Sequence, residues 1–345
     1  DTGSWRFGVG FTTPSAHKDE AFQLLRLAVA APRFDDEPIE RGRREAMAQI
    51  EAATKDPGSV GSLVLRRRLY GKYRMSDWDS GTIEGLRNVG RADIEDYRRR
   101  IMARDTIKIA VVGDIDARTL APLLDHIFGN LPAKADLRPI RKMEGGSDGC
   151  QAIEMDIPQS IVQFGNLTAR LDWRQNLISS VLTSILSEAF TGRLFIEMRE
   201  KRGLVYGIGT NHGNYLDYGL FSGGFGAASD NASTAMALTV QELRRIVAEA
   251  PTAQEVADAK QSLTGRILLG LDTSGKLANL VLAMQVNNIP ITYLDDIAGE
   301  IAKITVEDVW NLAKLLIKPD RLAVTMVGKP VQGGACEKAM TPAPN

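Results

Sequence analysis

The chain has 345 residues, 44% hydrophobic and 25% charged, with a formal net charge of −1. That length suits two domains of ordinary globular composition. The near-neutral charge gives no electrostatic footing for nucleic acid or acidic lipid, and no apolar run is long enough to span a bilayer.

Periodicity and punctuation place the elements in chain order. A strand is expected at Trp5–Phe11, then helices at Lys18–Ala31, Pro38–Ala53, Ser59–Leu69, Thr82–Asn88 and Ala92–Met102. A strand at Ile107–Gly113 and a helix at Ala117–Phe128 follow. Leu137–Gly149 is polar and glycine-containing, and reads as a linker. Strands are then expected at Ala152–Ile157 and Ser160–Leu167, helices at Trp173–Glu188 and Arg193–Arg202, and strands at Leu204–Thr210 and Tyr218–Gly226. Helices at Ala232–Ala248, Ala253–Leu269, Gly275–Gln285, Ile291–Ile304 and Val306–Leu316 lead to a last strand at Arg321–Gly328. Strands and helices come in blocks, which predicts an α+β fold with a mainly antiparallel sheet and helices on one face.

An internal repeat organises these elements. Val89–Asp114 aligns without a gap on Ile304–Lys329 at an offset of 215. Asp93 matches Asp308, Asp105 matches Asp320, and Gly113 matches Gly328. RFGVGF at Arg6–Phe11 parallels LFSGGF at Leu220–Phe225, and the helix Pro38–Ala53 parallels Glu255–Leu268. The second copy opens near Gln151, so the same offset places the front of the first copy about 65 residues ahead of residue 1. The expected division is a first, N-terminally incomplete domain at 1–136, a linker at 137–149, a second domain at 150–333 and a tail at 334–345. The chain opens without an initiator Met or an apolar leader, almost inside its first strand, so the compartment is not readable from its start. Cys150 and Cys336 flank the second copy, which leaves two readings, a pair of free thiols or one disulfide.

Chemistry concentrates in Thr191–Gly207, TGRLFIEMREKRGLVYG. Leu194, Phe195 and Met198 make an apolar stripe, Gly203 stops the helix, and the turn brings Arg199 near Tyr206. A guanidinium fork and a phenolic hydroxyl are donors that can hold a peptide carbonyl and stabilise its oxyanion. On residue types alone, the plainer account is a solvated arginine and a core tyrosine.

LFIEMREKRGLVYGI resembles the signature of the C-terminal domain of the M16 (pitrilysin-type, mitochondrial-processing-peptidase-like) metallopeptidases, in which an Arg precedes a Tyr by seven residues. Asp156–Gly165, DIPQSIVQFG, is similar to the strand that opens that domain, and the resemblance covers nearly the whole chain. It implies two homologous M16-type domains, with Arg199 and Tyr206 as the retained pair.

An active M16 half carries H-x-x-E-H on one helix, with a zinc-ligating Glu on a later one. The three histidines here, His17, His126 and His212, have no partner at i+4. PRFDDEPIERGRREAMAQIEAATKDP resembles the family's later helix, and the ligand Glu falls on Gln49 while its supporting Glu falls on Gly42. A neutral amide is a poor zinc ligand. Glu45 and Glu51 lie on other faces of the helix.

Other motifs read as structure. Gly219–Gly226 has no phosphate-loop spacing, and is a strand with close backbone approach. The triplets Arg66–Arg68 and Arg98–Arg100 are solvated helix faces. Ser160 and Ser222 have no triad spacing around them.

The resemblance therefore implies a zinc-less subunit of a heterodimeric M16 peptidase, with no cofactor in this chain and Zn2+ in a homologous partner subunit. Arg199 and Tyr206 would reach that partner's site and bind an extended peptide substrate. A bacterial periplasmic or envelope setting goes with paired M16 proteins. The alternative is a scaffold protein of the respiratory-complex core-subunit type, where the pair is incidental. A third reading, a fragment of an active peptidase, is opposed by Gln49 and Gly42.

Overall fold

The structure, a computed structural model, describes residues 6–77, 79–139, 143–329 and 336–339. Helices α1 (Lys18–Ala30), α2 (Asp36–Ala53), α3 (Pro57–Tyr70), α4 (Ile83–Asn88), α5 (Arg91–Ile101) and α6 (Ala117–Phe128) come first. Then follow β1 (Gly149–Glu154), β2 (Gln159–Thr168), α7 (Trp173–Ser187), α8 (Arg193–Phe195), β3 (Val205–Asn214) and β4 (Gly219–Ala228). Helices α9 (Ser229–Ala248), α10 (Ala253–Leu269), α11 (Ser274–Asn287), α12 (Tyr293–Ala302) and α13 (Val306–Leu316) precede β5 (Ala323–Gly328) and β6 (Glu337–Ala339). The expected α+β composition is observed.

Two compact units form, and they interleave along the chain. One comprises Asp1–Ala48, Gly81–Ile140 and Leu268–Ile291; the other comprises Gln49–Ser80, Arg141–Ile267 and Thr292–Asn345.

The second unit holds one six-stranded sheet in the order β3-β4-β2-β5-β1-β6. The β3–β4, β4–β2 and β2–β5 pairs are antiparallel, while β1 runs parallel to β5 and β6. Strand alternation gives β5 two different faces. Val324 and Met326 join a core built by α7, α9 and α13, with Leu182, Leu186, Leu243, Ile246 and Val309 buried beside them. Val327 faces the other way and packs with Val60 and Val64 of α3 and Ile153 of β1. The Thr325 hydroxyl on that side donates to the Gly61 carbonyl at 3.1 Å. The helical layer expected on one face is thus joined by α3 on the other.

Close backbone approach sets the glycines of this sheet. A Cβ on Gly165 would lie 2.7 Å from the Phe221 carbonyl, and one on Gly223 would meet the Phe164 ring at 2.4 Å. The glycine-rich segment of β4 is therefore structural.

Cys150 and Cys336 form a disulfide that ties β1 to the residue preceding β6 across 186 positions of sequence. Arg68 pairs with Glu337 at 3.1 Å and Lys338 with Glu154 at 3.2 Å, which fixes β6 on the same edge.

In the first unit, α1 packs on α6 through Phe22, Val29 and Ile127, with Leu131 just beyond α6 in the same cluster. Arg98 of α5 donates to the carbonyls of Val29 and Ala30 at the end of α1. Two strand expectations fail here. Residues 6–11 hold only an isolated bridge at Phe7, with Trp5 outside the described residues, and Ile107–Gly113 forms no strand. The repeat supplies the reason. In the second copy β5 is bonded on both sides by β1 and β2, and these 345 residues contain no first-copy counterpart of either. Alternating apolar residues without a ladder partner do not make a strand.

The disulfide closes a long loop, so its removal should cost about 2–4 kcal/mol. Cys150→Ser is expected to lower the urea midpoint of the second unit, with a steeper slope as the unfolded state loses its cross-link. An unchanged midpoint would mean that β6 and its ion pairs hold that edge without the covalent tie.

Candidate functional site

The segment expected as one helix from Arg193 to Arg202 is built in two parts. The α-helical turn α8 passes into a π-helical turn at Ile196–Glu200. The Lys201 N–H donates to the Ile196 carbonyl, a five-residue step, at 3.0 Å. Leu194 and Met198 are fully buried and fix the inner face of this turn. Gly203 then adopts φ +62°, where a side chain is strained. Its N–H reaches the Arg199 carbonyl at 3.0 Å, and Leu204 N–H reaches Met198 at 2.8 Å. This is a glycine helix stop widened by one residue to match the π-turn.

The chain enters β3 through a bulge. Val205 pairs with Ala227 and Ile208 with Phe225, so three steps on β3 oppose two on β4. Val205 and Ile208 both turn inward, and the extra residue re-aims the side chain between them, as bulges do. Tyr206 is 82% exposed. The Arg199 guanidinium carbon lies 5.1 Å from the centre of its ring. The structure thus brings together the two residues singled out in the sequence, and it places the tyrosine on the surface.

Arg199 is also left free for another partner. Its neighbour Glu197 accepts from Lys201 and Arg202, and the Lys201 contact above all holds the Glu197 carboxyl below its ordinary range. Among the described residues Arg199 has no carboxylate partner, only a 3.5 Å approach to the Val205 carbonyl. A cation on an aromatic face at this exposure contributes about 0.5–1 kcal/mol. That is enough to bias a rotamer and too little to prevent either group from binding elsewhere. The pair can therefore present a guanidinium fork and a hydroxyl to one carbonyl or carboxylate.

An ion pair anchors the turn, and nothing in the sequence pattern announces it. Arg193 donates to Glu255 of α10 through Nε at 2.6 Å and through a terminal nitrogen at 2.8 Å. The Glu255 carboxyl also accepts from the N–H and hydroxyl of Thr252. Mainly through Arg193, its pKa falls to about 2. The partners are 62 residues apart, beyond any local periodicity.

The two positions where the family's later helix carries acidic residues hold Gln49 and Gly42. Gln49 is exposed and lines an open cavity of about 440 Å³ with Asp56, Ser59, Ser62, Arg66 and Asp79. Gly42 lies two turns earlier, exposed and with open space around it. His17 lies 3.6 Å from Glu20, His126 is exposed on α6, and His212 contacts the Thr168 hydroxyl at 3.0 Å. Among the described residues no three His, Cys, Asp or Glu side chains converge to hold a metal.

Burial lowers the His212 pKa to about 4, and among the described residues Nδ1 has no hydrogen-bond partner. The unfolded chain binds a proton at this site near pH 6.5, so stability is lost as pH falls from there towards 4. His212→Gln should flatten the slope of Tm against pH in that window; an unaltered slope would assign it to other groups. Glu255 acts lower. Its pairing is intact above the ordinary glutamate value near 4.3 and is lost as pH falls towards 2. Glu255→Gln should cost on the order of 1 kcal/mol at pH 7, given its partial exposure, and much less at pH 2.5. Equal losses at both pH values would contradict the ion-pair account.

Residues 88–263, just over half of the chain, match the family described as the peptidase M16 inactive domain. An uncharacterized zinc protease of Mycobacterium tuberculosis (strain ATCC 25618 / H37Rv) is 24% identical over 302 residues, which is 86% of this chain and 69% of the relative. Subunit beta of the mitochondrial-processing peptidase of Blastocladiella emersonii is 25% identical over 310 residues, 86% of this chain and 65% of the relative. The crystal structure of a peptidase M16 inactive domain from Pseudomonas fluorescens matches the fold with a TM-score of 0.84 at 23% identity, covering 91% of this chain and 76% of that one. The chain belongs to the M16 peptidase family, and the part matched is the domain described as inactive.

Proposed function

We propose that this chain is the zinc-less subunit of a two-subunit M16 peptidase. In that arrangement Arg199 and Tyr206 act on a peptide held at the zinc site of a homologous partner. The observation that carries the reading is the built Arg–Tyr pair, with a π-turn, a left-handed glycine and a bulge converging to expose it. A solvated arginine and a core tyrosine would need none of the three.

The division of labour follows from the chemistry. The partner's zinc would supply the activated water. The Arg199 fork would accept no proton and would hold a backbone carbonyl or carboxylate by paired N–H donors. The Tyr206 hydroxyl would donate to the oxygen that gains charge as the carbonyl is attacked. An extended peptide lying along a sheet edge is the matching substrate form. The Cys150–Cys336 disulfide fits an oxidising compartment such as a bacterial periplasm.

With the assembled complex, Tyr206→Phe should lower kcat about 100-fold, the usual loss for one oxyanion donor. Arg199→Ala should raise KM as well. Arg199→Lys should recover only part of this, because a point charge cannot replace the fork. Turnover that is unchanged in both Tyr206→Phe and Arg199→Ala would leave the chain as a scaffold.

A further inference from the structure

The loop between α7 and α8 is tied down at both ends. At its start the Ser187 hydroxyl oxygen accepts from the Thr210 N–H of β3 at 2.9 Å and lies 2.8 Å from the Thr210 hydroxyl. The Glu188 carboxylate accepts from the Ser184 hydroxyl at 2.9 Å and pairs with Arg266 at 2.9 Å. At its end the Gly192 N–H donates to the Glu188 carbonyl at 2.8 Å, and a Cβ on Gly192 would come within 2.6 Å of the Glu188 nitrogen. The chain therefore folds back on the end of α7, and the tip of the loop is fixed from beneath.

Phe190 stands at that tip. Its φ is +69°, a left-handed conformation that glycine adopts freely and a bulky side chain does not. It is also 75% exposed, so burial does not offset the backbone cost. Its ring meets that of Phe195 in α8, with centroids 5.2 Å apart. A glycine or an asparagine would make the same turn with less strain. A large apolar side chain held strained and in the open points to something outside the fold for it to meet.

Its surroundings say what that is. Phe195 precedes Arg199 by four residues, about one turn away on the same side of the segment. Arg199 in turn lies over the Tyr206 ring. Phe190, Phe195, Arg199 and Tyr206 thus form a continuous series beside β3, the outermost strand of the sheet. The Thr210 N–H on that open edge is already taken by Ser187. Thr210 is four residues beyond Tyr206, about 13 Å along the strand. An extended peptide running along this edge from Tyr206 is stopped there, beside the loop that carries Phe190.

We propose that Phe190 determines specificity: its ring receives an apolar side chain of the peptide whose backbone Arg199 and Tyr206 hold, within four residues of the bond that is cut. The inference rests on the peptidase reading above. An aromatic or aliphatic side chain laid on the Phe190 ring is removed from water together with it, whereas a small or charged one gains nothing there. Selectivity of about tenfold is expected from one such open contact.

The test uses the complex isolated from its own cells, carrying each variant of this chain, and a quenched fluorogenic peptide library with one position at a time fixed as Phe, Leu, Ser or Asp. At one position within four residues of the cut, kcat/KM for the Phe and Leu sets should exceed that for the Ser and Asp sets about tenfold. Phe190→Asn should remove this preference by slowing only the Phe and Leu sets. Its Tm should not fall, because asparagine tolerates the left-handed turn. Tyr206→Phe, in the same assay, should slow every set alike. An unchanged preference in Phe190→Asn, beside slowed turnover in Tyr206→Phe, would overturn this proposal and leave the peptidase reading standing. A Tm lowered by several degrees, or loss of the partner subunit, in Phe190→Asn would also overturn it, by making Phe190 a packing or subunit contact. No turnover of any set by the unmodified complex would remove the peptidase reading and this subsite together.

Discussion

The site depends on one backbone constraint, the left-handed Gly203 between a π-turn and a bulged strand. A regular α-helix ending one residue earlier would rotate Arg199 by about 100°, away from Tyr206. A regular strand would turn Tyr206 to the opposite face from its observed one. Neither irregularity is favourable by itself. Buried Leu194, Met198, Val205 and Ile208 hold both in place. The Arg193–Glu255 pair then fixes the start of the turn to α10. Rigid packing beneath and exposed functional groups above is the arrangement expected of a binding site.

The sheet in turn explains why this turn can be rigid. Strand β3 is supported by β4, whose glycines let β2 and β3 approach within the limits of bare backbone. At the far edge, β6 is short, charged and covalently tied. Short, charged strands are a common way to end a sheet without inviting further pairing. The second unit is therefore closed at that edge, and it presents its unusual geometry at the other.

Much of this was legible in the sequence, for identifiable reasons. The Arg199–Tyr206 approach follows from a helix stop at Gly203, which local residue types encode. The π-turn and the bulge were not legible, because each is defined by a register against another segment. The Arg193–Glu255 pair hides for the same cause. Helix α3 belongs by sequence to the first copy, yet Val60 and Val64 pack against Ile153 and Val327. An apolar stripe states that a face is buried and not what buries it. The failed strands at 6–11 and 107–113 make the same point, since alternation encodes a side-chain pattern and not a ladder partner. Spacing along a chain says little about proximity, so the sequence leaves the cysteine pair open, and the structure joins it.

The central claim is that the Arg–Tyr pair works at a zinc site carried by another chain. It is tested most directly by native mass and zinc content of the protein isolated from its own cells without overexpression. The account predicts a complex with a homologous subunit of similar size and about one zinc per pair. Isolation as a single chain, or as a homodimer free of zinc, would contradict it.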